Sequence, residues 1–335
     1  MAVGTETGRR VARLESVYKR RPFLTFYSLT LAISWSFWIP VAVSHQALVP
    51  FWPSTLFLIA GAFGPSLAAI VLTAMEGGRI AVRGLFGGLL KLRVGVRWYL
   101  VALLSPAALC LSAVALHVLL GGAAPRLYSP VSWYLLPAYF LLVLLFVGPM
   151  TEEIGWRCYA LPMLQAERSA LSASLILGSS WALWHLPLAW TGETSWPGLP
   201  FPLFAFAIVA LTILFTWAYN GTGGSLLIVL LFHAAINFTL TLVPVQPTDT
   251  MPLRTCLIGV GLLWAAAIVV VIAEGPARLT RKSSPGCPGC GIPDLPARRA
   301  PQNLAVRVMP GAHCECRVDR RRRPALAGKR GRVPR

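Results

Sequence analysis

Apolar residues in this chain gather into eight long runs rather than into short alternating segments. They extend roughly over Leu24 to Val43, Ser54 to Ala74, Trp98 to Leu120, Val131 to Met150, Ala170 to Trp190, Leu203 to Asn220, Ser225 to Val243 and Leu253 to Ala273. A helix needs about 20 mostly apolar residues to cross the hydrocarbon core of a bilayer. Backbone exposed to lipid must satisfy its own hydrogen bonds, so helices are the expected element. A transmembrane barrel would show strands of alternating polarity, and these runs do not alternate. The first run is too long for a signal-peptide core and lacks a small-residue cleavage site, so it is expected to remain in the protein. The pattern predicts an all-α, polytopic integral membrane protein with about eight transmembrane helices.

Composition agrees. Of 335 residues, 56% are hydrophobic and 13% charged, against about 25% charged in soluble domains. That excludes a disordered chain and argues against a soluble enzyme. Charge adds a second layer, with 30 Lys and Arg against 12 Asp and Glu, a net of +18. In a soluble protein this would point to nucleic acid. Here, however, Arg278 to Arg335 hold 15 of the basic residues and three acids, Asp294, Glu315 and Asp319, so the tail alone carries +12. Nucleic acid is therefore disfavoured as a partner. The tail is expected to be disordered, with Arg320 to Arg323 facing anionic lipid.

The remaining bases report topology. Arg9, Arg10, Arg13, Lys19, Arg20 and Arg21 precede the first run; Arg79, Arg83, Lys91, Arg93 and Arg97 follow the second; Arg157 and Arg168 follow the fourth. With eight spans these share one side with the tail, and only Arg126 and Arg254 fall on the other. The positive-inside rule then places both termini in the cytoplasm of a cell bounded by this inner, plasma membrane. The expected division is a basic segment over 1–23, an eight-helix intramembrane domain over 24–274, and a basic tail over 275–335. The tail also holds Cys287, Cys290, Cys314 and Cys316 beside His313. The first pair has zinc-knuckle spacing, but the Cys-x-Cys pair is tight for ligands.

Ionisable groups inside spans are costly and mark candidate function. Glu152 and Glu153 close the fourth run, and His117, His185 and His233 lie within others. On a helix, Glu153 and Arg157 are four apart with the acid first, the favoured order for an ion pair. Glu152 points about 100° away and is left for another task, such as general base. The alternative is a charge cluster that merely ends the span. Trp181 lies one turn before His185 and can wall its ring. His233 and Asn237, also four apart, share a face; taken alone they fit an interhelical hydrogen-bond pair as well. Together, a carboxylate, two imidazoles and a carboxamide on three runs can hold and deprotonate a water and stabilise an oxyanion. They can equally ligate a divalent metal. His117 has no comparable neighbours and reads as structural.

These segments resemble the CAAX-protease and bacteriocin-processing family of intramembrane endopeptidases, which includes the Rce1-type proteases. The family pattern is Glu-Glu-x-x-x-Arg, then Phe-x-x-x-His, then His-x-x-x-Asn. Here it reads Glu152-Glu153 to Arg157, Trp181 to His185, and His233 to Asn237. Trp181 replaces the usual Phe, and Cys158 stands where many relatives have Gly. The resemblance implies that Glu152 activates water, that His185 and His233 position the water or a metal, and that Asn237 donates to the oxyanion. Glu153 and Arg157 would support them, with Trp181 as the aromatic wall. It leaves two cofactor readings open: a divalent metal such as zinc held by Glu152, His185 and His233, or a glutamate-activated water without metal. The implied partner is a peptide or protein substrate at the bilayer, prenylated or not. Other intramembrane protease signatures are missing from the sequence, including His-Glu-x-x-His, a membrane-embedded Asp and Gly-x-Ser-Gly. The competing reading is a non-enzymatic transporter, immunity protein or scaffold that uses the same polar cluster.

Overall fold

The computed structural model describes residues 21–47, 54–191, 198–247 and 251–280. The basic N-terminal residues through Arg20 and the tail from residue 281, with its cysteine pairs and Arg320–Arg323, lie outside the described residues.

Every predicted run forms helix, so the fold is all-α. The first is α1 (Pro22–Ala47). The second run divides at Phe63 into α2 (Ser54–Ala62) and α3 (Gly64–Leu85). Here α3 outlasts the expected end at Ala74. It bends at Gly77 and Gly78, the latter at φ +61, and then continues as an amphipathic segment to a 3₁₀ turn over Phe86–Leu90. Next come α4 (Val96–Leu119) and α5 (Leu136–Phe146).

After α5 the chain turns at Val147 and Gly148 and re-enters helix as α6 (Pro149–Glu153), a π-helical stretch (Ile154–Ala160) and α7 (Leu161–Gln165). Gly148 sits at φ +99, a conformation closed to ordinary side chains. Pro149 then starts the helix where its missing N–H costs nothing. A π-helical stretch is rare and frequently falls at functional sites; this one begins directly after the two carboxylates.

The last four helices are α8 (Ala170–Trp184), α9 (Phe201–Gly221), α10 (Leu226–Leu242) and α11 (Leu253–Glu274). Ser169 caps α8 by accepting from the Ser172 N–H. Pro187 ends it early, so the expected run to Trp190 finishes as a 3₁₀ turn.

Among the described residues, six stretches are long and apolar enough to cross a membrane: Pro22–Ser44, Gly64–Leu90, Val96–Leu119, Trp133–Gln165, Phe201–Gly221 and Leu253–Glu274. The two shorter helices, α8 with 15 residues and α10 with 17, carry or end at the buried histidines. At 1.5 Å per residue the helix alone covers only part of a hydrocarbon core of about 30 Å in each case. Both pack inside the bundle: Ala173, Leu177 and Trp181 of α8 and Ile228, Val229 and Ala234 of α10 are buried.

Candidate active site

The site begins at the Val147–Gly148 turn, which aims the start of α6 into the bundle. Thr151 Oγ1 donates to the Gly148 carbonyl at 2.9 Å, and the Glu152 N–H donates to the same oxygen at 2.9 Å. This fixes the first turn of α6 and the direction of both carboxylates. Glu152 and Glu153 are buried, the latter completely.

Glu153 is consumed by partners. Arg157 Nη1 donates to its Oε1 at 3.1 Å and stands 2.9 Å from Oε2. On the other side, His233 Nδ1 lies 2.7 Å from Glu153 Oε1. Because the carboxylate already faces a guanidinium, it acts as the acceptor, and Nδ1 carries the proton. In a neutral imidazole with that tautomer, Nε2 is the acceptor nitrogen. The Arg157 guanidinium is buried between two aromatic faces, 4.6 Å from the Trp181 ring and 4.9 Å from the Phe215 ring. A buried charge is tolerated when it is paired in this way.

Glu152 is held differently. Its Oε2 accepts a 2.6 Å hydrogen bond from Trp181 Nε1. The Trp156 indole, fully buried, also faces this carboxylate. Its other oxygen, Oε1, points to Gly148. A methyl group built on Gly148 would lie 3.0 Å from Glu152 Oε1, 3.0 Å from His233 Nε2 and 3.1 Å from Asn237 Nδ2. These are the three atoms nearest that point, so no two of them are separated by more than the sum of two such distances. The absence of a side chain at Gly148 thus lets a carboxylate oxygen, an imidazole nitrogen and an amide nitrogen converge beside the backbone. Asn237 is half-buried and oriented by its own bond, Nδ2 to the Val147 carbonyl at 2.8 Å. The second N–H of the same amide is available to a ligand.

His185 caps the end of α8, with Nδ1 2.8 Å from the Trp181 carbonyl. Since a carbonyl only accepts, this nitrogen carries the proton as well. The ring lies among Trp38, Trp181, Trp184 and Phe204. Helix α1 braces it from behind: Trp35 Nε1 donates to the Trp184 carbonyl at 3.0 Å, and Trp184 Nε1 donates to Ser34 Oγ at 2.7 Å. The Trp181 ring stands between the two imidazoles, with centroids 5.9 Å from His185 and 5.4 Å from His233.

All seven residues singled out from the sequence therefore lie in one buried region. Glu152, His233 and Asn237 converge beside Gly148, Glu153 and Arg157 lie on the Nδ1 side of His233, and Trp181 binds Glu152 and packs against both histidines. Sequence reasoning missed the Glu153–His233 bond, the Trp156 and Phe215 rings, and Gly148. Only Gly148 left a signal, a Gly-Pro step three residues before the Glu pair.

A zinc site held by Glu152, His185 and His233 would need three protein donors around one point. Each histidine has one nitrogen tied to a carboxylate or carbonyl, as metal-ligating histidines commonly do. Among the described residues, however, no three His, Cys, Asp or Glu side chains are gathered closely enough to hold a metal. The donor types fit and their placement does not, so the chemistry below is built from the side chains alone.

With this geometry established, comparison with known proteins is informative. Residues 133–239 match the family of type II CAAX prenyl endopeptidases, Rce1-like. That span contains all seven site residues. The chain is also 28% identical over 270 residues to CAAX prenyl protease 2 of Methanococcus maripaludis, covering 76% of this chain and 95% of the relative. Both similarities point the same way as the residue pattern, to proteins named as CAAX prenyl endopeptidases, and the long apolar helices fit a multi-pass membrane protein.

Proposed function

We propose that this protein hydrolyses a peptide bond with a water activated by Glu152, and that its substrate is a membrane-associated, CAAX-type prenylated peptide. The observation that carries the mechanism is the convergence of Glu152 Oε1, His233 Nε2 and Asn237 Nδ2 beside Gly148. The substrate class comes from the name of the methanococcal relative.

In this reading Glu152 Oε1 and His233 Nε2 both accept from the water, orienting its remaining lone pairs outward. Glu152 takes a proton as the water oxygen attacks the scissile carbonyl carbon. The Asn237 amide donates to the oxygen that becomes negative. Collapse of the tetrahedral species breaks the C–N bond, and the proton held by Glu152 passes to the leaving amine. Glu153 and Arg157 keep the His233 ring in the tautomer that presents Nε2. His185, in its aromatic box, fixes the end of α8 and with it the Trp181 indole that binds Glu152.

The accompanying topology has eight membrane passes, with α8 and α10 as the two short ones, both termini cytoplasmic, and the domain extending over residues 24–274. The experiment uses the full chain in proteoliposomes. Farnesylated and unmodified peptides ending in a CAAX box are incubated with wild type and Glu152→Gln, and products are identified by mass spectrometry. Release of the terminal tripeptide by wild type only is the expected result. Cleavage of the unmodified peptide alone would overturn the substrate class, and equal cleavage by both proteins would overturn the mechanism.

A further inference from the structure

The elbow that begins at the bend within α3 has features the catalytic site does not use. From Gly77 to Arg97 the chain carries Arg79, Arg83, Lys91, Arg93 and Arg97 and no acidic residue. Large apolar side chains alternate with these bases on the outside, with Ile80 84% and Leu90 82% exposed, and Met75, Leu92 and Val96 exposed as well. This mixture suits neither water nor hydrocarbon alone. It suits the interface, where apolar side chains enter the acyl boundary and guanidinium groups reach the headgroups.

The elbow is also built to stay in place. Gly77 and Gly78 turn the chain out of the α3 axis. Beyond the turn, Lys91 Nζ donates to the Gly223 carbonyl, Ser225 Oγ donates to the Lys91 carbonyl at 2.9 Å, and Tyr99 OH donates to the Leu92 carbonyl at 2.8 Å. The nearest acid, Glu76, accepts from Tyr159 OH at 3.2 Å. Lys91 is thus engaged, and Arg97 lies over the Trp98 ring at 5.3 Å.

Arg79 and Arg83 differ from these. They are one helical turn apart, and neither has a hydrogen bond or ion pair among the described residues. With Ala74, Gly78 and Val82 they line a shallow pocket in the angle of the bend. Two guanidinium groups beside an apolar wall match a phosphodiester with its acyl chains, since arginine binds phosphate oxygens in pairs.

We propose that the Arg79–Arg83 pocket binds the phosphate headgroup of an anionic phospholipid in the leaflet that faces the elbow. The site lies outside the family match of residues 133–239, and it does not depend on the proteolytic reading.

The test uses the full chain in nanodiscs of phosphatidylcholine with and without phosphatidylglycerol, and native mass spectrometry counts the phosphatidylglycerol retained after release. Wild type is expected to retain it, and R79Q/R83Q to retain far less, with affinity falling about fivefold for each arginine removed. R93Q/R97Q removes the same charge from the same segment and is expected to keep the lipid. Circular dichroism confirms that each variant keeps its helix content. Equal retention by R79Q/R83Q and wild type would overturn the proposal, as would an equal loss in R93Q/R97Q, which would reveal a diffuse charge effect. Displacement of phosphatidylglycerol by soluble inorganic phosphate would show that the pocket takes free phosphate and not lipid, and would overturn it too.

Discussion

Two clusters in this protein each join a buried histidine to an arginine, which is buried in the case of Arg157 and exposed in the case of Arg254, and they are built for opposite ends. In one, Arg157 and His233 meet on Glu153 while Glu152 converges with His233 and Asn237 beside Gly148. In the other, Arg254 of α11 reaches His117 near the end of α4. Its Nη2 lies 3.3 Å from His117 Nδ1, and its guanidinium N–H groups face the Leu120 and His117 carbonyls at 3.4 and 3.5 Å. The space beside His117 is closed, since a methyl group on Gly122 would fall 2.1 Å from His117 Nε2. The second cluster thus spends its donors on the carbonyls that the end of a helix leaves unpaired. The first instead brings a carboxylate oxygen, an imidazole nitrogen and an amide nitrogen together beside Gly148. Buried polarity alone therefore does not mark chemistry; a carboxylate that converges with an imidazole and an amide does.

The sharpest way to break the contrast is Glu152→Gln. It keeps shape and size and removes the base. Loss of general-base catalysis is expected to lower kcat by about 10² to 10⁴-fold, with the unfolding midpoint in detergent unchanged. Steady-state cleavage of the farnesylated peptide measures it. Activity within a few-fold of wild type would put both clusters in the same structural class.

Arg157→Ala tests the support of the first cluster. Removing one partner of a buried pair strands the other charge, at a cost of about 3–5 kcal/mol. Glu153 would then hold only His233, and Trp181 and Phe215 would lose the cation between them. Denaturant unfolding in micelles, followed by tryptophan fluorescence, is expected to show a loss of that size. A change below about 1 kcal/mol, the range of exposed pairs, would mean that the pair contributes no more than a surface contact.

Much of this contrast was visible in the sequence, and the reason is specific. Carboxylates are rare in apolar runs, so Glu152 and Glu153 stood out, and the spacing of four linked Glu153 to Arg157 and His233 to Asn237 without any knowledge of the fold. The same rule separated His117, which has no polar residue at helical spacing. Partner choice across helices was not legible. Trp181 was placed beside His185 by sequence, yet its Nε1 serves Glu152, which is 29 positions away. His233 was paired with Asn237 and also binds Glu153, 80 positions away. The ends of helices were read least well. α3 runs past Ala74 because its two glycines bend the helix without stopping it, whereas Pro187 stops α8 before Trp190.

Asn237→Ala separates rate from binding within the first cluster. If its free N–H meets the developing oxyanion, its loss is expected to lower kcat by about 10² to 10³-fold with little change in KM. The amide also holds the Val147 carbonyl, so an unfolding measurement accompanies the kinetics. A raised KM with an unchanged kcat would make Asn237 a substrate-binding group and leave the oxyanion without this donor.

The smallest effect belongs to the second cluster. Arg254→Gln removes the guanidinium from the end of α4 and keeps a polar side chain. The Leu120 and His117 carbonyls then turn to other donors or to water, so for an exposed arginine the expected loss is no more than about 1 kcal/mol of stability. Because this cluster contains no carboxylate, kcat and KM for the peptide should both stay at wild-type values, measured under the conditions used for Glu152→Gln. A selective fall in kcat with stability unchanged would connect His117 and Arg254 to the chemistry, and the distinction between the two clusters would fail.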